Sequence, residues 1–214
     1  MKKYELTGEV KVVFGITLHR IRAVVSFGTI IKGDLGGWIE KEENLSQNNN
    51  AWVSGDAKVC GDAKVCGDAK VYGNAWVYGN AWVCGDAKVY GNAWVCGDAK
   101  VYGNAWVYGN AEVCGDAKVC GDAKVCGDAK VYGNAKVYGD AKVYGDADYI
   151  VFKNWWSSGR YFTWTRSNNM WSVGCFYGTG EELINKAYVD SEKSGREYER
   201  VVKYVESILE EEKQ

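Results

Sequence analysis

The sequence predicts a mainly β protein whose centre winds into a parallel β-solenoid with 18 residues per coil. The tripeptide Gly-Asp/Asn-Ala recurs every six residues, sixteen times without interruption, from Gly55 to Ala147. Within each unit, the Ala and the residue two positions later alternate with outward residues, which is the period of a β-strand. That second residue is Val in every copy but the last, where Tyr149 replaces it. Gly-Asp and Gly-Asn supply the corners, because both residue types tolerate unusual backbone angles.

The six-residue unit predicts a coil rather than a meander. Every strand carries the same apolar face, and a chain of hairpins would not bring those faces together. Three six-residue sides form one coil, so each strand pairs in parallel with its copy 18 residues later. Residues 49–148 then make five to six coils around an interior of Val and Ala. Open coil ends invite fibre growth, so both flanks are expected to be caps.

We divide the chain into an N-terminal β cap (residues 1–48), the solenoid (residues 49–148) and a C-terminal α+β domain (residues 149–214) with the order βββαα. In the cap, β-branched residues predict strands at Val10–Phe14 and Ile21–Ile31, and Gly36–Ile39 predicts a turn onto the first coil. In the C-terminal domain the predicted strands are Tyr149–Phe152, Arg160–Thr165 and Met170–Phe176, and capping-box spacing at Thr179/Glu182 and Ser194/Glu197 predicts two helices.

The cysteines do not form a disulfide framework in this prediction. Seven of the eight occupy one repeat position, where Tyr is the usual alternative: Cys60, Cys66, Cys84, Cys96, Cys114, Cys120 and Cys126. In-register parallel neighbours have poor disulfide geometry, so stacked pairs such as Cys96 and Cys114 are expected to stay free thiols. No C-x-x-C pair occurs and His19 is the single histidine, so neither a metal nor another cofactor is predicted.

Charge and hydropathy restrict the partners and the compartment. The net charge of −2 gives no general attraction to nucleic acid or to anionic membranes. No apolar stretch reaches membrane-spanning length, and the charged N-terminus lacks the apolar core of a signal peptide. We therefore expect no membrane association and a reducing cytoplasm.

Three segments resemble known families. The order of an aliphatic residue followed four positions later by a small one, as in Val53 to Ala57, is similar to the hexapeptide family of left-handed parallel β-helices, although the glycine here lies two residues after the aliphatic one. The stretch from Leu18 to Val53, which includes LGGWIEKEENLSQ, resembles the N-terminal segment of an enterobacterial left-handed-helix protein labelled as acetyltransferase-like. It also resembles the start of polymer-forming hexapeptide proteins from phages and prophages. GCFYGTGEEL resembles a domain behind such repeats in phage genomes. The resemblance implies a left-handed coil and the cytoplasm of a bacterial host cell.

The outward position after each Ala carries Lys ten times and Trp five times. The preceding corner residue varies with it, Asp with Lys and Asn with Trp, because a nearby Lys screens stacked carboxylates. The exceptions are Asn110 with Glu112, Asn134 with Lys136 and Asp146 with Asp148. This covariation is a structural pattern and does not by itself indicate a site.

Aromatic side chains provide the candidate binding residues. The 18-residue period stacks tyrosines on one side of the coil and tryptophans on another. The favoured interpretation is that this stacking stabilises the parallel coils. The alternative is that the stacked rings form a platform for a sugar, a base or a second protomer. In the C-terminal domain, aromatics beside arginines suggest a pocket for an anionic or aromatic ligand, and docking of that face on the last coil as a cap is equally compatible. The candidates are Tyr72, Tyr90, Tyr108, Trp76, Trp94, Trp155, Trp156, Arg160, Trp164 and Arg166.

These patterns favour a non-catalytic binding or scaffold protein that self-associates into a homo-oligomer, and the resemblance implies that it is phage or prophage encoded. One alternative is a phage counter-defence protein that sequesters a small anionic, nucleotide-like ligand. The other is a hexapeptide acyltransferase, whose family is expected to place a histidine base and a loop insertion in the coils. The repeats contain neither, and His19 precedes them, so no catalytic residue is assigned and an enzyme is disfavoured.

Overall fold

A computed structural model describes residues 2–212 and confirms the mainly β fold with a central parallel solenoid. Three strands precede the array, β1 (Tyr4–Val13), β2 (Ile16–Ala23) and β3 (Leu35–Ile39). Sixteen two-residue strands form the coils: β4 (Trp52–Val53), β5 (Lys58–Val59), β6 (Lys64–Val65), β7 (Lys70–Val71), β8 (Trp76–Val77), β9 (Trp82–Val83), β10 (Lys88–Val89), β11 (Trp94–Val95), β12 (Lys100–Val101), β13 (Trp106–Val107), β14 (Glu112–Val113), β15 (Lys118–Val119), β16 (Lys124–Val125), β17 (Lys130–Val131), β18 (Lys136–Val137) and β19 (Lys142–Val143). The C-terminal unit contains β20 (Tyr149–Lys153), β21 (Tyr161–Thr165), β22 (Met170–Val173), β23 (Phe176–Gly178), α1 (Gly180–Asp190) and α2 (Glu192–Glu211).

The coil strands stack in parallel in three sheets, which we call the eight-, six- and five-stranded faces, and β1, β2 and β3 extend the first of these, with β1 and β3 antiparallel to β2. Their orders are β1-β2-β3-β5-β8-β11-β14-β17, β19-β16-β13-β10-β7-β4 and β18-β15-β12-β9-β6. Strands pair in exact register with the copy 18 residues away, as Trp76 does with Trp94, to give about six coils. The inward Ala and Val side chains, such as Ala93 and Val95, have no exposed surface.

The corners explain the glycine of each unit. Gly91 has φ +74°, in the left-handed region that favours glycine, and its carbonyl accepts a hydrogen bond from the Asn74 amide of the preceding coil at 2.8 Å. Between corners, asparagine side chains also bond along the stack: Asn74 Nδ2 donates to Asn92 Oδ1 at 3.2 Å. Backbone and side-chain ladders together hold successive coils in register.

The N-terminal cap differs from the prediction at two places. The strand predicted for Ile21–Ile31 ends at Ala23, and the following residues turn back through an isolated bridge between Phe27 and Ile30. Gly36 lies inside strand β3 rather than in a turn. A Cβ on Gly36 would come within 2.4 Å of Ile21 Cγ1 and 2.7 Å of Trp52 Cζ2, so this glycine permits close packing on the first coil. Gly36 therefore marks a close approach of the backbone to the first coil, not a bend.

The C-terminal sheet, with the order β20-β21-β22-β23, is covered on both sides. One side packs Phe162 and Trp164 against the two helices. The other side rests on the last coil, where Thr163 Oγ1 accepts the Lys136 amide at 2.9 Å and Tyr177 donates to the Tyr138 carbonyl at 3.3 Å. The sheet thus caps the open coil end with its Thr163 side, whereas the aromatic side, which was expected either to dock there or to form a pocket, faces the helices.

Two predicted boundaries in the C-terminal unit are corrected. The single strand predicted over Met170–Phe176 is two strands, because Gly174 turns the chain at φ +58°. The capping box of Thr179 and Glu182 is confirmed at the start of α1. Helix α2 begins three residues earlier than predicted, because the Ser191 side chain accepts a hydrogen bond from the Ser194 amide and serves as the N-cap of the helix.

No helix within residues 2–212 is long and apolar enough to cross a membrane.

The prediction of free thiols is wrong for one pair. Cys96 and Cys114 form a disulfide between adjacent coils, with their Cα atoms 4.6 Å apart. That separation lies inside the range that disulfides adopt, so in-register parallel neighbours do reach bonding geometry. The other six cysteines are free thiols, including the stacked pair Cys66 and Cys84.

Candidate ligand-binding groove

The tyrosine ladder on the six-stranded face is a stacked column. The rings of Tyr72 and Tyr90 lie 4.8 Å apart and within 1° of parallel, and those of Tyr90 and Tyr108 lie 5.0 Å apart at 2°. The ring of Trp106 meets Tyr90 and Tyr108 edge-on. Each interior ring face is therefore occupied by a neighbour, which supports a role for this ladder in coil stability.

The tryptophan ladder on the eight-stranded face is partly covered by the N-terminal hairpin. Trp76 and Trp94 meet edge to face at 5.9 Å, and Phe14, at the tip of the β1–β2 hairpin, stacks on Trp76 at 5.4 Å. Trp94 keeps 41% of its surface exposed. This ladder is joined to the cap at one end and open to solvent at the other.

The predicted residues of the C-terminal unit do not form one pocket. Trp156 and Trp164 belong to the core of that unit, whereas Trp155 is 74% exposed. Arg166 is paired with Glu212, a bond that raises the pKa of the guanidinium, and its side chain lies over the Trp164 ring at 5.9 Å. Arg160 is exposed and lies at the mouth of a groove.

That groove, of about 620 Å³, runs along the five-stranded face. One wall is a basic row, Lys100, Lys118 and Lys136, on successive coils. The other is a corner row, Asn80, Asp98, Asp116 and Asn134, and the ends are formed by Trp82 and by Arg160, Tyr161 and Gly174 of the C-terminal unit. Its volume is within the range of small-molecule sites.

The fold holds the basic row at fixed spacing. The amides of Lys100 and Lys118 each donate to an alanine carbonyl of the next coil at 2.9 Å, and the Lys136 amide donates to Thr163 of the capping sheet. Neighbouring strands in a sheet are about 4.8 Å apart, so the lysines follow one another at that step. Lys136 Nζ donates to the Gly174 carbonyl at 3.2 Å, which ties the end of the row to the C-terminal unit.

The positive charge of the groove is concentrated at the capped end. Asp98 and Asp116 precede Lys100 and Lys118 in their units, whereas Lys136 follows Asn134 and has no such carboxylate. Burial, and then the charges of Lys118 and Arg160, lower the pKa of Lys136. The cations at the capped end are therefore not fully balanced by carboxylates. Such a local excess of positive charge attracts an anion.

A second groove, of about 440 Å³, lies on the six-stranded face beneath the loop at Gly28–Ile30. Here Lys70 and Lys88 face Asp68 and Asp86, so basic and acidic groups are balanced. The Trp106 ring lies between two ammonium groups, with Lys88 at 4.5 Å from its centroid. This groove has the same ladder construction without the excess positive charge.

Sequence reasoning selected Arg160 but missed the basic row and its aromatic ends, Trp82 and Tyr161. The repeated Lys position was explained by screening of the Asp charge in the same unit. Nothing in the ten copies distinguished the three lysines that line the groove. The available signal was the irregular Asn134–Lys136 unit, where the Asp–Lys pairing fails. Only the docking of the C-terminal unit shows that this unit adjoins Arg160.

Comparison with known proteins supports the repeat architecture. Residues 69–85, which lie within the repeat array, match the family model described as YdcK beta solenoid repeat. No curated protein matches the chain significantly. The matched segment covers one short part of the array, so it is the coil itself that this chain has in common with that family.

Proposed function

We propose that this chain is a non-catalytic binding protein that captures a small anionic, nucleotide-like ligand on a rigid solenoid scaffold. The observation that carries the proposal is the groove on the five-stranded face, where the basic row meets Arg160. In keeping with the resemblance, we propose a left-handed hexapeptide-repeat protein of phage or prophage origin, acting in the cytoplasm of the bacterial host.

The rigidity of the groove supports binding. Its lysines project from backbone that is hydrogen-bonded on both sides, so little backbone entropy is lost when a ligand is bound. Trp82 and Tyr161 at the ends provide aromatic surface, although Lys64 and Lys100 already lie over the Trp82 ring at 5.6 and 5.4 Å. An acyltransferase is supported less well, because the groove contains no histidine to serve as a general base.

A panel of anions tests this function. At low ionic strength we expect nucleotides and related phosphate esters to raise the melting temperature, and the uncharged nucleosides to have no effect. Lys118→Gln should reduce the shift, whereas Lys88→Gln, the matched change in the balanced groove, should leave it unchanged. If no anion shifts the transition, or if both variants respond alike, the groove is not a binding site.

A second candidate function, self-association as a scaffold, is favoured by the N-terminal hairpin. Strand β1 is the outer strand of the eight-stranded face, and its Val10 and Val12 are 54% and 67% exposed. An apolar edge strand is a template for pairing with a second copy. Sedimentation should give a multiple of 23.7 kDa that returns to 23.7 kDa in Val12→Lys; a monomer at all concentrations would contradict this function.

A further inference from the structure

The lysines of the basic row are regularly spaced, and a single anionic group does not contact the whole row. Lys100, Lys118 and Lys136 lie in register on three successive coils, and Arg160 lines the same groove at its capped end. The lysines repeat at the sheet spacing of about 4.8 Å. A ligand that contacts all of them must itself be a chain of closely spaced negative charges.

We propose that the groove binds a linear oligophosphate, with successive phosphates along Lys100, Lys118 and Lys136 and the phosphate at the capped end on Arg160. This inference rests on the proposed function and names the ligand class for the same site. Lysine ammonium groups act as point charges toward phosphate, and a guanidinium offers a bidentate fork to phosphate oxygens. Both kinds of group are present in the order that such a chain requires.

The corner row sets the direction of the ligand. Asp98 and Asp116 repel phosphate oxygens along the middle of the opposite wall, which keeps an anion on the lysine side of the groove. At the capped end Asn134 replaces Asp, and its amide group donates hydrogen bonds to phosphate. The attraction is therefore strongest between Lys136 and Arg160 and weakens toward Trp82.

Arg160 lies between the groove and a second cleft, which belongs to the C-terminal unit. Arg160 also lines this cleft of about 580 Å³, whose floor includes Val173, Leu183 and Ala187. Its polar wall includes Ser157 and Tyr198. A nucleoside attached to the phosphate at Arg160 has space there, whereas an inorganic oligophosphate leaves the cleft to solvent. A nucleotide and an inorganic oligophosphate both present the same phosphate chain to the basic row.

Titration calorimetry with two ligand series tests the inference on the full chain, without divalent cations. The first series is orthophosphate, pyrophosphate and tripolyphosphate, and the second is AMP, ADP and ATP. We expect the Kd to fall about threefold to fivefold with each added phosphate, the gain of one exposed charge contact. A nucleotide that binds more tightly than the inorganic chain of equal length identifies the nucleoside source; equal affinities identify the phosphate chain alone.

Single substitutions show where the phosphate chain of the ligand lies on the protein. Lys100→Gln should weaken tripolyphosphate and ATP threefold to fivefold, about one charge contact, and leave orthophosphate and AMP unchanged. Arg160→Gln should weaken every member of both series, and Lys88→Gln in the balanced groove should weaken none. These side chains are exposed or half-buried, so the variants should keep the wild-type melting temperature without ligand.

Two results separate the failure of this inference from failure of the proposed function. If affinity does not depend on phosphate number but is lost in Arg160→Gln, the groove binds anions and the chain of contacts is overturned. If no member of either series binds, the inference is overturned, and the anion panel then decides whether the proposed function survives. Equal weakening by Lys88→Gln and Lys100→Gln overturns the placement in this groove.

Discussion

Replacing Gly91 with valine is expected to lower the free energy of unfolding by more than about 4 kcal/mol, a loss that few single substitutions produce. Two effects combine. Gly91 has φ +74°, which a β-branched residue rarely adopts. A Cβ would also come within 2.9 Å of the Gly109 carbonyl oxygen and 3.0 Å of its nitrogen, in the backbone of the next coil. Neither coil can move away without breaking the ladder that joins them.

Gly133→Val is the matched control for this prediction. Gly133 has φ +62°, but no atom lies within 4 Å of the position of its Cβ. Only the backbone conformation is penalised there, and the expected loss is about 1 to 2 kcal/mol. Urea unfolding followed by far-ultraviolet circular dichroism measures both. Equal losses at the two positions would show that contact between coils adds nothing to the glycine requirement.

Trp164→Ala is expected to destabilise the C-terminal unit by about 3 to 5 kcal/mol, the usual effect of removing a large buried aromatic side chain. Trp164 is 1% exposed in the core between sheet and helices, and its Nε1 donates to Asn169 Oδ1 at 2.8 Å. The same change at Trp155, which is 74% exposed, should alter stability by less than about 0.5 kcal/mol. Both residues belong to the set of candidate binding residues predicted from the sequence.

Hydrogen exchange of the helix amides provides the measurement. In Trp164→Ala we expect faster exchange in α1 and α2, with the inner coils still protected, because local stability follows buried apolar contacts. In Trp155→Ala the exchange should match that of the wild type. A large loss of protection in Trp155→Ala, or none in Trp164→Ala, would contradict the division into core and surface.

Local periodicity made most of the fold predictable, and the errors fall where periodicity ends. The Ala–Val alternation gave the correct inward residues and the 18-residue register. Outside the array, β-branched content extended the second strand past Ala23, and Gly36 was interpreted as a turn. Both errors have one cause: packing on the first coil decides where these segments bend, and residue preferences do not contain that contact.

The disulfide and the start of α2 illustrate the same limit at finer scale. Cys96 and Cys114 were correctly stacked, but their bonding depends on a Cα separation of 4.6 Å that the repeat spacing does not supply. Ser191 and Ser194 are both acceptable helix caps, and it is the Ser191 hydroxyl that accepts the hydrogen bond from the Ser194 amide. A pattern therefore placed these residues near one another without specifying which contact they make.

The amino-acid sequence alone determined the solenoid, because a strand-and-corner unit repeated at fixed spacing closes its own backbone hydrogen bonds whatever the flanks contain. Only the tertiary structure decided which of ten equivalent lysines belong to a groove, since that depends on where the capping sheet places Arg160 and Gly174. The physical reason is the separation of the interacting residues along the chain. Coil strands pair with identical neighbouring repeats, whereas the charged site combines repeat lysines with residues of the C-terminal unit, which only the complete fold brings to them.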